Sequence, residues 1–414
     1  MRGTVVIVGS SVAGVRAAQA LRNEGHGGRI ILVGAEPELP YDKPPLTKQL
    51  LSGTWTTQKL ALLTEAEALT LDIELRLGVA AQHLDLAERR VLLADGSDVS
   101  YHTCLIATGA SARPSPWRAA SGVHVVRTLA DSRALRADLR RGGPVVVVGG
   151  GFIGSEVAST ALQHGCAVTM VDPLEVPMGR PLGPEVGQYF TDLHRRHGVA
   201  TRFGVGVQTI TGEAGDLRVV LTDGHTLPAA TVVVGIGAVP NDAWLASSGL
   251  LLDNGVVCDE YGRAVGRPDV FAAGDVARWF HPRHHEHVRV EHWTNAVDQA
   301  VCAAHNITHP QDLRSHSGVE YVWSDQYDWK IQIVGTPPRA SGHSTIGHFS
   351  GASARGAVLY HDAADSLCGA VTVNWPRALV ECRRLVATDT PVEVALGRVG
   401  RLAAKPVPAA GAAS

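Results

Sequence analysis

The chain repeats itself. VVIVGSSVAGVRAAQAL at 5–21 is echoed by VVVVGGGFIGSEVASTAL at 145–162: a β-branched run, a glycine-rich turn, then an alanine-rich helix. Each is followed by a second strand, RIILVGAE at 29–36 and AVTMVDP at 167–173. Strand, turn, helix, strand is the parallel βαβ unit, whose strands need helices on both faces of the sheet. A chain that carries it twice is therefore constrained to two doubly wound α/β folds.

The rest of each fold repeats too. RRVLLADGSDVSYHTCLIATGA (89–110) and LRVVLTDGHTLPAATVVVGIGAVPN (217–241) each read as a strand, an Asp-Gly turn, a strand, and a very apolar strand ending in glycine. Asp95-Gly96 and Asp223-Gly224 are expected to supply the positive φ of a tight hairpin. After residue 318, YVWSDQYDWKIQIVG, STIGHFSGASARGAVLYHD and SLCGAVTVNWPRAL read as antiparallel strands leading into a helix at about 376–388. The architecture expected is thus two Rossmann-like domains and a C-terminal α+β domain.

The glycine turns carry chemistry. In Gly-x-Gly-x-x-Gly the first glycine permits the bend, the second admits a pyrophosphate, and the third lets helix and strand pack closely, with the helix N-terminus facing the phosphates. The second turn offers Gly149, Gly151 and Gly154 after a four-valine strand. The first offers Gly9 and Gly14, with its helix expected to open at Gly14, but places Ser11 where the middle glycine belongs. A serine is small and its hydroxyl can donate to a phosphate oxygen, so we expect the turn to remain a nucleotide site. Past the next strand stand Glu36 and Asp172, placed to accept from adenosine ribose hydroxyls. Asp172 would repel a 2′-phosphate, and the nearest downstream arginine is Arg180, so NADH is expected over NADPH.

Composition narrows the partners. The 414 residues are 45% hydrophobic and 19% charged with a formal charge of −3, an ordinary globular balance giving no reason to expect nucleic acid or an anionic membrane. No apolar run approaches the roughly 20 residues of a membrane helix. The six cysteines include no Cys-x-x-Cys pair, which fits reduced thiols of a cytoplasmic protein and argues against a dithiol enzyme.

PYDKPPLTK (40–48), GFIGSE (151–156), VFAAGDVAR (270–278) and VEHWTNAVDQA (290–300), taken with the two turns, make the chain resemble the FAD-dependent NADH:ferredoxin reductases of P450 and dioxygenase systems, the putidaredoxin reductase-like two-dinucleotide flavoproteins. The resemblance covers residues 4–400. It implies an FAD-binding domain at 1–110 and 241–318, an NAD-binding domain at 111–240, a C-terminal domain at 319–402 and a disordered tail at 403–414. It implies that Lys48 lies near the flavin and pairs with Glu156 in the first turn of the NAD helix. A surface lysine and a glutamate favoured by the helix dipole are the plainer readings of those two. It places Gly9, Ser11, Ala13, Gly14, Glu36, Lys43, Ala81, Thr108, Gly109, Arg127, Asp275 and Trp293 with Lys48 at FAD. Gly149, Gly151, Gly154, Glu156, Asp172, Arg180 and Gly237 fall at NAD. Asp275 would accept from a ribityl hydroxyl, and Trp293 would begin a helix aimed at the flavin. Lys43 departs from the family's usual arginine, keeping the charge and losing the planar stacking.

The implied activity is transfer of hydride from NADH to FAD and of single electrons to a [2Fe–2S] ferredoxin serving a P450 or other oxygenase, by a monomer or weak homodimer. Rubredoxin reductase, NADH oxidase and an apoptosis-inducing-factor-like NADH-sensing role are the alternatives. Arg339, Arg377, Arg383 and Arg384 form either a basic rim for an acidic ferredoxin or ordinary solvated charges. Trp323, Trp329 and Trp375 read as packing. HPRHHEH at 281–287 reads as a solvated loop, and no metal is expected.

Overall fold

Each glycine turn leaves the central strand of a five-stranded parallel sheet. We describe the protein from a computed structural model covering residues 3–117, 119, 121–351 and 353–403. The chain divides into two compact units: the stretch up to Arg113 with Arg127–Leu129 and Gly237–Gly318, and Pro114–Val126 with Ala130–Ile236 and everything from Val319.

In the first unit the sheet order is Val270–Ala272, Thr103–Ile106, Val5–Val8, Ile30–Gly34, Ile73–Leu77, all parallel. Val5–Val8 and Ile30–Gly34 are buried along their whole length, as strands covered on both faces must be. The helix Val12–Asn23 packs on the helix Trp293–Thr308 through Ala13, Ala17 and Ala20 on one side and Ala296, Ala300, Ala303 and Ala304 on the other. A three-stranded antiparallel sheet, Ala81–Asp85, Arg90–Leu93 and Asp98–Ser100, completes the repeat.

The second unit copies this plan: Ala200–Phe203, Val168–Asp172, Val145–Val148, Thr231–Val234, Val123–His124, again all parallel, beside an antiparallel sheet of Val207–Glu213, Asp216–Leu221 and Thr226–Ala229. In both hairpins the glycine alone takes positive φ, +85° at Gly96 and at Gly224. The aspartate instead accepts the backbone N–H two residues on, at Ser97 and His225, both at 3.0 Å.

The same unit carries an antiparallel sheet in the order Tyr321–Gln326, Trp329–Gly335, Leu367–Val373, Arg355–His361, Gly342–His348. Its Trp329, Ile331 and Val371 share a core with Phe190 and Leu193 of the helix Pro184–Arg196. The expected helix runs Pro376–Ala387 and is followed by a second, Val392–Ala403. That last helix was not anticipated, though Val392, Ala395, Val399 and Leu402 carry its periodicity; Gly397 and Gly400 obscured it. Of the expected disordered tail, Ala403 ends this helix, and 404–414 lie outside the described residues. Among the described residues no helix is long and apolar enough to cross a membrane.

Candidate cofactor sites

The three glycine positions of each turn have different physical reasons. Gly9 has φ +121° and Gly149 φ +109°, and a Cβ there would stand 2.1 Å from Ala107 O and 2.3 Å from Gly235 O. A Cβ at Gly14 or Gly154 would lie 1.8 Å or 1.9 Å from the carbonyl of Gly9 or Gly149. Those four are required by the chain itself. The middle position is not: Ser11 has φ −94° and Gly151 φ −80°, both extended, and nothing lies within 4 Å of a Cβ at Gly151. A serine therefore folds there without strain. Both residues are N-caps, so the first helix opens at Val12, two residues before the expected Gly14.

Three helices share an N-terminal build. Val12–Asn23, Phe152–Gln163 and Trp293–Thr308 each begin after an extended N-cap residue that makes no side-chain capping hydrogen bond, and none has an acidic residue in its first turn. Helix starts are ordinarily capped by side chains. Ends built this way present N–H groups and the positive end of the dipole to a ligand.

In the first unit a cleft of about 400 Å³ opens at Gly9 and Ser11. Ala13, Glu36, Lys43, Ala81, Thr108, Gly109, Arg127 and Asp275 also line it, whereas Gly14, Lys48 and Trp293 are not among its lining residues. Glu36, half-buried past the strand Ile30–Gly34, accepts from the Tyr41 hydroxyl and, at 3.0 Å, from Lys43 Nζ. The Tyr41 hydroxyl in turn accepts from Leu129 N at 2.9 Å, and burial, reinforced by the Glu36 charge, pushes its pKa up. Lys43 thus spends its charge on Glu36. Arg127 Nη2 donates to Asp275 Oδ2 at 3.0 Å, and Arg289 Nη1 to the Asp275 carbonyl at 3.0 Å. Gln299 Oε1 accepts from Gly274 N at 2.9 Å, fixing the loop that carries Asp275.

Thr108 and Asn241 clip together the ends of the antiparallel pair Ala110–Ala112 and Ala238–Pro240: Thr108 Oγ1 donates to Asn241 O and Asn241 Nδ2 to Thr108 O, each at 2.8 Å. Gly237 lies beside this clip with φ +108° and accepts from Arg113 N at 2.9 Å. Trp293 Nε1 donates to Asp42 Oδ1 at 2.8 Å. Burial raises the Asp42 pKa, and that indole bond works against the rise. Lys48 is half-buried, between the Pro44–Thr47 turn and the short helix Gln49–Ser52. Tyr41, Asp42 and Gln299 were not singled out from sequence; the first two sit inside PYDKPP, where polar residues among prolines were the available signal.

In the second unit Asp172 is 9% exposed at the end of Val168–Asp172, and its oxygens accept from Gly150 N at 2.6 Å and Leu174 N at 2.8 Å. It braces the glycine turn directly. Arg180 is exposed on the short helix Gly179–Leu182. Glu156 is the fifth residue of Phe152–Gln163, so it lies beyond the first turn, contrary to expectation, and the helix dipole does not account for it. It is 4% exposed, and Ser324 Oγ donates to its Oε1 at 2.7 Å. Glu156 is therefore not the surface glutamate of the plainer reading.

The expected HPRHHEH loop is instead the tip of a hairpin, Ala277–His281 with Glu286–Val288, and His281 is 4% exposed with its ring stacked on His284 at 4.2 Å. Trp329 and Trp375 are buried, as packing residues should be. Arg339, Arg377, Arg383 and Arg384 of the expected rim are all exposed; Arg384 pairs with Glu381 at 2.6 Å and Arg383 lies over the Tyr321 ring at 5.0 Å.

Residues 3–300 match the pyridine nucleotide-disulphide oxidoreductase family and 321–397 the reductase C-terminal family. The chain is 37% identical to rhodocoxin reductase of Rhodococcus erythropolis over 94% of its length and 90% of that protein's. It is 38% identical to the anthranilate 1,2-dioxygenase system ferredoxin–NAD(+) reductase component of Burkholderia cepacia, over 92% and 93%. The crystal structure of the ferredoxin reductase for the CYP199A2 system from Rhodopseudomonas palustris superposes with a TM-score of 0.89 at 35% identity, covering 94% of this chain and 95% of that one. The chain belongs to the pyridine nucleotide-disulphide oxidoreductase family, with the reductase C-terminal domain appended.

Proposed function

We propose that the protein is an FAD-dependent NADH:ferredoxin reductase that passes electrons from NADH to a [2Fe–2S] ferredoxin serving a P450 or other oxygenase. The observation that carries this reading is the duplicated turn: two helix N-termini of one build, each with its structurally obligatory glycines, in one chain whose first cleft has no cysteine among its described lining residues. Two dinucleotides without a thiol relay suit electron transfer to an external acceptor. The FAD supplies the conversion of a two-electron hydride into single electrons; the chain supplies binding, orientation and charge.

In this reading residues up to 110 and 241–318 hold FAD, 111–240 hold NADH and 319–402 form the C-terminal domain. Gly9, Ser11 and the start of Val12–Asn23 receive the pyrophosphate, Glu36 the adenosine ribose, and Asp275, steadied by Arg127, the ribityl chain. Ala13, Ala81, Thr108 and Gly109 shape the cleft walls, and Gly14 lets the helix close on its strand. Trp293 brings a helix dipole to the reducible ring. Gly149, Gly151, Gly154 and Gly237 shape the NADH site with Arg180 at its edge. Asp172 selects NADH by its negative charge. Lys48 and Glu156 serve hydride transfer, Lys48 by favouring negative charge on the flavin and Glu156 by ordering the nicotinamide side. Arg339, Arg377, Arg383 and Arg384 meet an acidic ferredoxin. The six cysteines are all free thiols, which supports a reducing, cytoplasmic setting.

The test is steady-state cytochrome c reduction by NADH with and without an added [2Fe–2S] ferredoxin, alongside oxygen uptake and a repeat with NADPH. Strong stimulation by ferredoxin with NADH is the expected result. Rapid oxygen consumption without stimulation would indicate an oxidase, and neither activity a sensing role.

A further inference from the structure

Away from the cleft, the far ends of two helices bring three side chains together. Glu24 is the C-cap of Val12–Asn23, and His305 and His309 lie one turn apart at the end of Trp293–Thr308, with His309 its C-cap. Glu24 Oε2 stands 3.1 Å from His305 Nδ1 and 3.0 Å from His309 Nε2. Chain distance hid the group, since Glu24 and His305 are 281 positions apart.

Proton bookkeeping makes the cluster informative. His305 is 3% exposed, and its Nε2 lies 2.9 Å from the Asp312 carbonyl. A carbonyl oxygen only accepts, so Nε2 carries a proton and donates. In the neutral ring Nδ1 is then a lone pair aimed at a carboxylate oxygen, and two acceptors at 3.1 Å repel. A cation between them removes the conflict. Proton or metal ion would serve His305, and a metal ion satisfies His305, Glu24 and His309 together.

Three further features favour the metal. A backbone carbonyl on the remote nitrogen is the usual outer partner of a metal-binding histidine. A tetrahedral zinc with ligands at about 2.0–2.2 Å sets its donor atoms about 3.4 Å apart, so separations of 3.0 and 3.1 Å need only a small outward relaxation. Both helices also end here, and the negative ends of their dipoles repel the Glu24 carboxylate and attract a cation. His309, with 43% of its side chain exposed, gives an ion a way in.

We propose that Glu24, His305 and His309 form a zinc-class divalent metal site, completed by water, that staples the C-termini of the two helices whose first turns, at Ala13 and Ala296, line the cofactor cleft. Two imidazoles and one carboxylate suit a borderline ion and disfavour magnesium or calcium, which take oxygen ligands. The site is independent of the proposed reaction, and none of its residues lines the cleft.

The test uses the full-length, FAD-loaded protein and its Glu24→Gln and His309→Ala variants. Each is stripped with a chelator, incubated with zinc chloride, desalted, and assayed for zinc per chain and for melting temperature; flavin content checks folding. Histidines at 281–287 contribute equally to all three and cancel. The expected result is one equivalent less zinc in each variant than in the parent, and a zinc-dependent rise in melting temperature that only the parent shows. Equal zinc in the parent and either variant overturns the proposal, as does zinc bound at this site that leaves the melting temperature unmoved.

Discussion

Ser11 and Gly151 hold the same place in two copies of one turn, each the extended N-cap of its helix, with φ −94° and −80°. The backbone makes no demand for glycine at either. What favours glycine there is the ligand, and a serine that can donate to a phosphate oxygen recovers by hydrogen bonding some of what it loses in approach distance. Ser11→Gly is therefore expected to change FAD affinity by less than about tenfold, roughly 1.4 kcal/mol. Gly14→Ala, whose Cβ would sit 1.8 Å from a carbonyl oxygen, is expected to yield protein without flavin. Fluorescence titration of the stripped protein with FAD measures both; a Ser11→Gly gain well above tenfold would show the serine to be a defect.

Asp172 joins the turn to the strand beyond it by accepting from Gly150 N and Leu174 N. Asn can satisfy only one of these with its oxygen and turns an N–H2 toward the other, at a cost of roughly 1–3 kcal/mol. Asp172→Asn should raise the KM for NADH about tenfold, on the same scale, and hardly alter that for NADPH, since removing the charge eases a 2′-phosphate. Steady-state kinetics with both nucleotides checks this. An unchanged NADH to NADPH preference would remove Asp172 from cofactor selection.

Much of this was legible because period and punctuation agree. The buried runs Val5–Val8 and Val145–Val148 and the glycines after them are recognisable from residue type alone. What was not legible depends on long-range meeting. Ser324 and Glu156, or Tyr41 and Leu129, are polar partners that no local pattern announces. The duplicated plan was readable because the strand, turn and helix signals of each unit lie within one short stretch of sequence, whereas hydrogen-bond partners are chosen by the fold. The helix Val392–Ala403 shows the limit of propensity, because packing of Val392, Ala395 and Val399 outweighs two glycines.

Glu156 is buried past the reach of its helix dipole and takes a hydrogen bond from Ser324. Glu156→Gln keeps the size and the acceptor while deleting the charge. If the carboxylate orders the nicotinamide side, anaerobic reduction of the bound flavin by NADH should slow by roughly tenfold or more, about 1.4 kcal/mol of transition-state stabilisation, with FAD content unchanged. Ser324→Ala, which strips one hydrogen bond from a buried carboxylate, should lower stability by roughly 1–3 kcal/mol and slow reduction less. Rapid mixing with NADH separates the two; an unaltered rate in Glu156→Gln would assign the residue to folding alone.

His194 gives the second unit a built-in acid sensitivity. It is fully buried on the helix Pro184–Arg196, with Nδ1 2.7 Å from the Tyr327 hydroxyl and Nε2 3.3 Å from Ser155 Oγ. Burial, with a smaller contribution from His197, pushes its pKa down to about 4. The folded state therefore holds His194 neutral, while the unfolded chain takes up a proton below about 6.5. More protons on the unfolded side mean that stability falls as pH falls: it is full above about 6.5, declines through the interval to 4, and levels below, for a total of roughly 3 kcal/mol from this group. Urea denaturation between pH 7 and 4.5 should show that decline, and His194→Gln, which retains a partner for Tyr327, should flatten it whatever it does to stability at pH 7. A slope identical in parent and variant would place the acid sensitivity elsewhere in the fold.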